Sequence, residues 1–355
     1  MRGGLSNLES GHGDLLERGD GRLTLRDPGA NSRVSGMVPG AQGHARHLVH
    51  RYEDRPAAAA YRGVMSGSHM AAVYGMAAAL ERADASARVL GARARAARDG
   101  EGPAAAFSAL ATAGPEGLVP AVGTGGALAA RHLEHATLAA AAAGPLLPPD
   151  VADCVSHAAA VAGDHAGGAA ALDPRGVAVV VQREVAAVRG LAAHAMPRDD
   201  AWQRLRLGTH LPRAAWMSAL LLACGRVVRE DPGAAPATWH AAALVAGGPP
   251  GACGTRPEDV LPALMTDDAL PMSVAHSMET VAGAMFALSR RGSVDSGPLA
   301  LTRAAAARLG SPAAREALAA DPLRVIAESL DAIGAIASSA MPGVARNGAA
   351  DAVAA

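Results

Sequence analysis

Three histidines at three-residue spacing, His44, His47 and His50 in GHARHLVHRYED, are the first residues whose types could do chemistry. On a helix each step of three turns the chain about 300°, so the rings fan over roughly 120° and the outer pair is separated by about 9 Å of rise. Only His44 with His47, or His47 with His50, could then share one ion, with a third ligand arriving from elsewhere. No such ligand is identifiable, and the stretch reads as a polar junction rather than a metal site.

The other candidates meet similar objections. His132 and His135 flank Glu134 in RHLEHATL, an order that differs from both HExxH and HxxEH. Gly123-Thr124-Gly125-Gly126 resembles a phosphate loop, but Leu128 stands where GxGxxG needs glycine and Pro120 interrupts the strand that would precede it. It reads as an interhelical turn. Ser66 lacks the GxSxG spacing of a nucleophile elbow. Asp164 and His165 are adjacent, so on a helix they would point apart, and a loop before glycine is the simpler reading. Arg82, Arg88, Arg93, Arg95 and Arg98 crowd one helix. Arg88, Arg95 and Arg98 share a face within roughly 80°, yet no aromatics interleave for base stacking. That pattern predicts a solvated face paired with neighbouring acids. No catalytic, cofactor-binding or metal-binding residue is assigned.

The elements that would position such groups are helices. Residues 1–60 are rich in Gly, Arg, Asp and Ser and read as an irregular N-terminal arm, with one short strand (RLTL) before the turn signal Asp27-Pro28-Gly29. A helical core region is expected over 61–246, a C-terminal helical region packed on it over 257–345, and a frayed tail over 346–355. The first helix opens on Ser68 as N-cap and stops at Asp99-Gly100. Further helices are predicted near 125–143, 150–162, 176–195, 212–228 and 236–246. The break at 246–259 ends in Thr255-Arg256-Pro257-Glu258, a capping box with proline in the first turn. Over 273–291, Val274, Met278, Val281, Met285 and Leu288 form one apolar stripe. Ser311-Pro312 and Asp321-Pro322 each pair an N-cap with an N1 proline, and Leu323, Ile326, Leu330, Ile333 and Ala337 make a second stripe.

Composition agrees. Half of the 355 residues are hydrophobic but only 2% are aromatic, so alanine, leucine and valine carry the burial. Alanine supplies roughly a quarter of the chain, which favours helix and close helix packing over a sandwich or barrel. The fold expected is mainly α: an alanine-rich multi-helix domain with little β structure. All 32 basic residues are arginine, and the net charge of −1 argues against strong sequence-independent nucleic-acid binding. The three cysteines, Cys154, Cys224 and Cys253, are far apart, as suits reduced thiols and no sulfur-rich zinc site. The N-terminus shows no apolar signal region and no run of about 18 apolar residues occurs, so a soluble intracellular chain with no membrane partner is expected.

Over 201–310, the segments AWQRLRLGTHLPRAAWMSALLLACGRV, PATWHAAALVAGG and PMSVAHSMETVAGAMFALSRRG share a texture of Ala-, Gly- and His-rich helices without lysine or a catalytic signature. In this the chain resembles the capsid proteins of totivirus-like double-stranded RNA viruses of fungi, the victorivirus group above all. The resemblance implies a structural, non-enzymatic shell subunit of the virion in the host cytoplasm. Such a subunit dimerises and assembles as a homo-oligomer into an icosahedral particle around genome and polymerase, with at most weak RNA contact. No cofactor is expected. The alternatives are a helical intracellular enzyme or effector from a high-GC bacterium, drawing on His44, His47, His132, His135, Asp164 and His165, and a helical adaptor or scaffold.

Overall fold

The computed structural model describes residues 67–99, 105–110, 125–167, 173–247 and 257–340. The 1–60 arm with His44, His47 and His50, Ser66, Cys253, Thr255 and the tail from 346 lie outside the described residues. No strand occurs among the described residues, and the mainly α reading holds.

The helices are α1 (Gly67–Asp99), α2 (Gly125–Ala143), α3 (Pro149–Gly167), α4 (Pro174–Ala195), α5 (Asp200–Glu230), α6 (Ala235–Ala246), α7 (Pro257–Thr266), α8 (Val274–Arg290), α9 (Ser296–Leu309), α10 (Pro312–Ala320) and α11 (Pro322–Ala340). Residues 105–110 add a short helical piece. Their ends follow local chemistry. Asp173 Oδ1 accepts from Gly176 N at 2.6 Å, with Pro174 in the first turn. Ser273 Oγ accepts from His276 N at 3.0 Å, and Ser311 Oγ from Ala314 N at 3.2 Å. Asp321 Oδ1 accepts from Arg324 N at 3.2 Å. Each satisfies a backbone donor that the first turn leaves free.

Several expectations need correction. The first helix begins at Gly67, so Ser68 lies inside its first turn rather than at the cap. The helix expected from 212 begins at 200, where Asp199 Oδ1 accepts from Trp202 N at 3.2 Å. Pro212 sits inside this helix, where the packing of its neighbours outweighs the lost backbone bond. Gly125 and Gly126 open α2 instead of forming a turn, and α3 runs through Asp164 and His165 to Gly167. Helix α9 has no counterpart in the sequence reading. The 274–288 stripe holds: Val274, Met278, Val281, Met285 and Leu288 are each 0% exposed. The last stripe is rotated, because Val325, Ile326, Ser329, Ile333 and Ile336 are buried while Leu323 and Leu330 are half-buried.

Two apolar cores meet along α1. On one side Val73, Met76, Leu80, Ala83 and Leu90 join a core shared with α2, α3, α4 and the start of α5, in which α3 packs on α2 and α4. On the other, Tyr74, Ala78, Val89 and Ala92 join a core built by α5, α6, α7, α8 and α11. Helix α1 is thus apolar around much of its circumference, as a helix buried on all sides must be. Alanine and glycine allow the approach. At the α1–α5 crossing, a Cβ on Gly208 would lie 2.4 Å from the Tyr74 carbonyl oxygen. Helix α5 is long and apolar enough to cross a membrane by length and composition, but most of its apolar stretch is buried in this core.

A candidate anion site beside a buried ion lattice

Along the seam between the two cores, α1 carries Glu81, Asp84 and Arg88, spaced i, i+3 and i+7 on one face. Glu81 is 0% exposed. Its Oε1 accepts from Arg213 Nε at 2.9 Å and from Trp216 Nε1 at 3.4 Å; its Oε2 accepts from Arg213 Nη2 at 2.7 Å and from Arg189 Nη2. Asp84 Oδ2 accepts from Arg189 Nη1 at 2.8 Å and lies 3.3 Å from Arg88 Nε, an ion pair without hydrogen-bond alignment. The lattice ties α1 to Arg189 on α4 and to Arg213 on α5. Burial by itself would raise the Glu81 carboxyl, but Arg213 and Arg189 outweigh it and hold the group below its usual range. Burial would likewise lower Arg213, and the paired Glu81 keeps its guanidinium charged.

Next to the lattice, Gln203, Arg206, His210 and Arg213 follow at i, i+3, i+7 and i+10 along one face of α5. Helix α8 crosses there. The His276 ring stands 5.9 Å from the His210 ring, and a Cβ on Gly283 would lie 4.0 Å from Arg206 Nη2. His276 Nδ1 is fixed by the Asp268 carbonyl at 2.7 Å, and Arg213 Nη1 donates to the Pro271 carbonyl at 3.4 Å. The loop between α7 and α8 thereby closes one side. Arg206 Nη1 donates to Gln203 Oε1 at 3.2 Å, a neutral acceptor. Its guanidinium is half-buried, and burial followed by the proximity of Arg198 lowers its pKa.

The electrostatics of His210 report the same surplus. Its pKa is pushed down to about 3, first by burial and then by Arg213, His276, Arg206 and Arg189. Arg213 and Arg189 are in turn paired with Glu81 on α1. His210 Nδ1 is buried without a hydrogen-bond partner among the described residues. Glu81 and Asp84 are shared among Arg88, Arg189 and Arg213, and Arg206 donates to the amide oxygen of Gln203. Arg206, His210 and His276 thus stand together where positive charge is in surplus, the electrostatic condition for holding an anion.

The residues singled out by sequence lie elsewhere. His132 and His135 touch edge to face on α2 with ring centroids 6.4 Å apart. His132 is pushed down to about 4 by burial, then by Arg82, His135 and Arg131. Asp164 is exposed near the end of α3. Among the described residues, no group of three His, Cys, Asp or Glu side chains could hold a metal ion. The arginines of α1 follow the expected solvated face in part: Arg95 and Arg98 are exposed, and Arg88 pairs with the neighbouring Asp84. Arg88 joins the lattice, while Arg88 Nη1 and Arg95 Nη2 donate to the α6 carbonyls of Ala246, at 3.5 Å, and Leu244, at 2.9 Å. They cap the C-terminus of α6. Burial pushes the Cys154 and Cys224 thiols up, away from the reactive thiolate.

Glu81, Arg189, Arg206, His210, Arg213 and His276 were missed from sequence. Two signals pointed to them: acids three residues apart between alanines in an otherwise apolar helix, and the same-face run from Gln203 to Arg213. Starting the helix at Pro212 cut that run in two.

No curated protein and no solved structure matches the chain. A family model, Alpha-E, described as a predicted alpha-helical domain with a conserved ER motif, matches residues 65–340. Within that span the dipeptide Glu-Arg occurs once, at Glu81-Arg82, where the carboxylate anchors the ion lattice and the arginine stands beside His132. With most of its length covered by this model, the chain belongs to the Alpha-E family.

Proposed function

We propose that this domain is a helical ligand-binding module that holds an anionic group in the recess formed by Arg206, His210 and His276 beside Arg189 and Arg213. The observation that carries the reading is the positive surround: after burial, Arg213, His276, Arg206 and Arg189 each disfavour a proton on His210. Arg206 has the amide of Gln203 as its acceptor. A half-buried guanidinium binds a carboxylate or phosphoryl oxygen pair bidentately and with charge assistance. Titration with inorganic phosphate and with acetate at low ionic strength, followed through the histidine ring proton signals, tests it. Saturable shifts of His210 and His276 that vanish in Arg206→Gln are expected. Shifts that never saturate, or that survive unchanged in that variant, would refute the reading.

Self-association is a second reading with its own observation. Phe286 and Leu301 are 46% and 50% exposed on the neighbouring helices α8 and α9. The guanidinium carbons of Arg290 and Arg303 lie 6.0 and 5.7 Å from the Phe286 ring. An exposed aromatic framed by arginines has the composition of a contact patch between proteins. A coat-protein role around double-stranded RNA is the narrower form of this reading and rests on the sequence texture of 201–310. Light scattering across a hundredfold range of concentration tests it, and a monomer throughout would end it.

A further inference from the structure

We infer that two copies of this chain pair about a twofold axis at the middle of α8, each seating its Phe286 over the partner's Gly283. The pairing rests on the self-association reading and gives it a partner and a register.

On α8, Glu279, Gly283, Phe286 and Arg290 follow at i, i+4, i+7 and i+11, within about 60° of one another around the helix. All four are exposed, while Val274, Met278, Val281, Met285 and Leu288 hold the opposite face in the core. The stripe is its own complement. Turned antiparallel about a point between Ala284 and Met285, a second α8 brings Glu279 to the partner's Arg290 and Phe286 to the partner's Gly283. Symmetry then repeats both contacts, which is the reciprocity that an isologous interface requires.

The middle of the stripe has the shape for it. Phe286 is 46% exposed, and Gly283, one turn before it, has no side chain. A Cβ there would meet only Arg206 Nη2, at 4.0 Å, so among the described residues no side chain fills the space above the glycine. Glycine at a crossing lets two helix axes approach toward the close end of the usual range of about 8–10 Å. A phenyl ring laid on that backbone takes apolar surface out of water on both sides.

Charge decides between a second copy and a polyanion. Among the described residues Glu279 has no ion-pair partner, and Arg290 and Arg303 lie over the Phe286 ring without a carboxylate. A nucleic-acid backbone would answer the arginines and be repelled by Glu279. A second copy answers both signs at once.

Helix α8 by itself is narrow for the roughly 800 Å² per partner that a stable interface buries. Helix α9 widens it, packing beside α8 and placing Arg303 against Phe286. Of its 14 residues only Thr302 and Leu309 are buried, so most of its surface is open to a partner.

Sedimentation equilibrium of the full chain between about 1 and 100 µM, where interfaces of this size dissociate, reads the dimer constant. Phe286→Ala should weaken it by at least about a hundredfold, because the ring is lost twice per dimer. Gly283→Gln fills the notch without adding charge and should weaken it by at least about tenfold, while the better helix former keeps the monomer folded. Glu279→Arg and Arg290→Glu should each weaken it about tenfold, by setting like charges together at both ends. The double variant, with the net charge of the original chain, should return to within about threefold of it. Circular dichroism verifies the fold of each variant, all of them altered at exposed positions. A dimer unchanged by these single substitutions, or a double reversal no tighter than the single ones, overturns the twofold pairing and leaves self-association in place. A monomer of the unaltered chain at every concentration overturns both.

Discussion

Glu81→Gln is the most informative single perturbation of the fold. The substitution preserves shape, so no cavity forms, but it removes the one negative charge shared by Arg213 and Arg189. Arg213, 7% exposed, would be left with the Pro271 carbonyl as its hydrogen-bond acceptor, and Arg189 with Asp84. Removing one partner of a buried ion pair costs about 3–5 kcal/mol, because the charge left behind is desolvated without compensation. For a unit of this size roughly 2–4 °C of melting temperature accompanies each kcal/mol, which gives a drop of about 6–20 °C. Thermal melting followed by circular dichroism at pH 7.5 measures it. Burial shields the pair from ions, so the drop should be nearly the same in 0.5 M salt. Replacing the whole pair with apolar residues, Glu81→Leu with Arg213→Met, should recover most of the loss. Arg324→Gln, which breaks the half-exposed contacts to Asp321 and Glu328, should change little. A Glu81→Gln drop no larger than that of Arg324→Gln would refute the account of the seam.

Two helical glycines should respond in opposite directions. Gly208→Ala places its methyl 2.4 Å from the Tyr74 carbonyl oxygen and 2.8 Å from Ala77 Cβ, so α1 and α5 must part, at a cost of about 1–3 kcal/mol. Gly190→Ala on α4 meets nothing within 4 Å and should stabilise by about 0.5–1 kcal/mol through helix propensity; urea melts of the two variants compare them. Acid should destabilise the domain before its carboxylates titrate. The folded pKa values of His132 and His210 lie below the usual 6.5, at about 4 and about 3. The unfolded chain therefore binds protons that the folded chain refuses, and stability present above pH 6.5 is lost as pH falls toward 4, by up to about 1.4 kcal/mol per pH unit for each ring. His132→Gln should flatten that limb when urea midpoints are followed from pH 7 to 4.5, and an unchanged slope would argue against a neutral buried ring.

Local chemistry made the helices legible. Ser311-Pro312 and Asp321-Pro322 mark helix starts because a side-chain oxygen and a proline both solve the problem of free first-turn donors. The 274–288 stripe reads directly because α8 has one buried face. Helix α1 is different: with apolar contacts on both sides, it shows length but no preferred direction. Helix α9 buries only Thr302 and Leu309, too little for a stripe to show. Pro212 misplaced the start of α5 because proline usually ends a helix, and here the tight α1–α5 crossing outweighs that preference. The site was hidden for another reason. Glu81 meets Arg189 and Arg213, partners 108 and 132 residues away, and local spacing cannot reveal such pairs.

The lattice and the recess share more than a location. An apolar seam of the same volume would join α1, α4 and α5 at least as well as buried charges do, since desolvation offsets most of their attraction. Stability alone therefore does not account for charges at this position. What the lattice adds is orientation: Glu81 grips Arg213 through both carboxylate oxygens, and Asp84 with Glu81 grips Arg189 from two sides. Guanidinium groups fixed in this way keep a positive field on His210 without collapsing onto an incoming anion. Weakening the lattice should consequently loosen anion binding even where the recess residues are untouched. In a Glu81→Gln domain kept folded at low temperature, sulfate affinity should fall although the net positive charge of the site has risen. Simple attraction by net charge predicts the opposite sign, so the direction of that change separates a preorganised site from a merely basic surface.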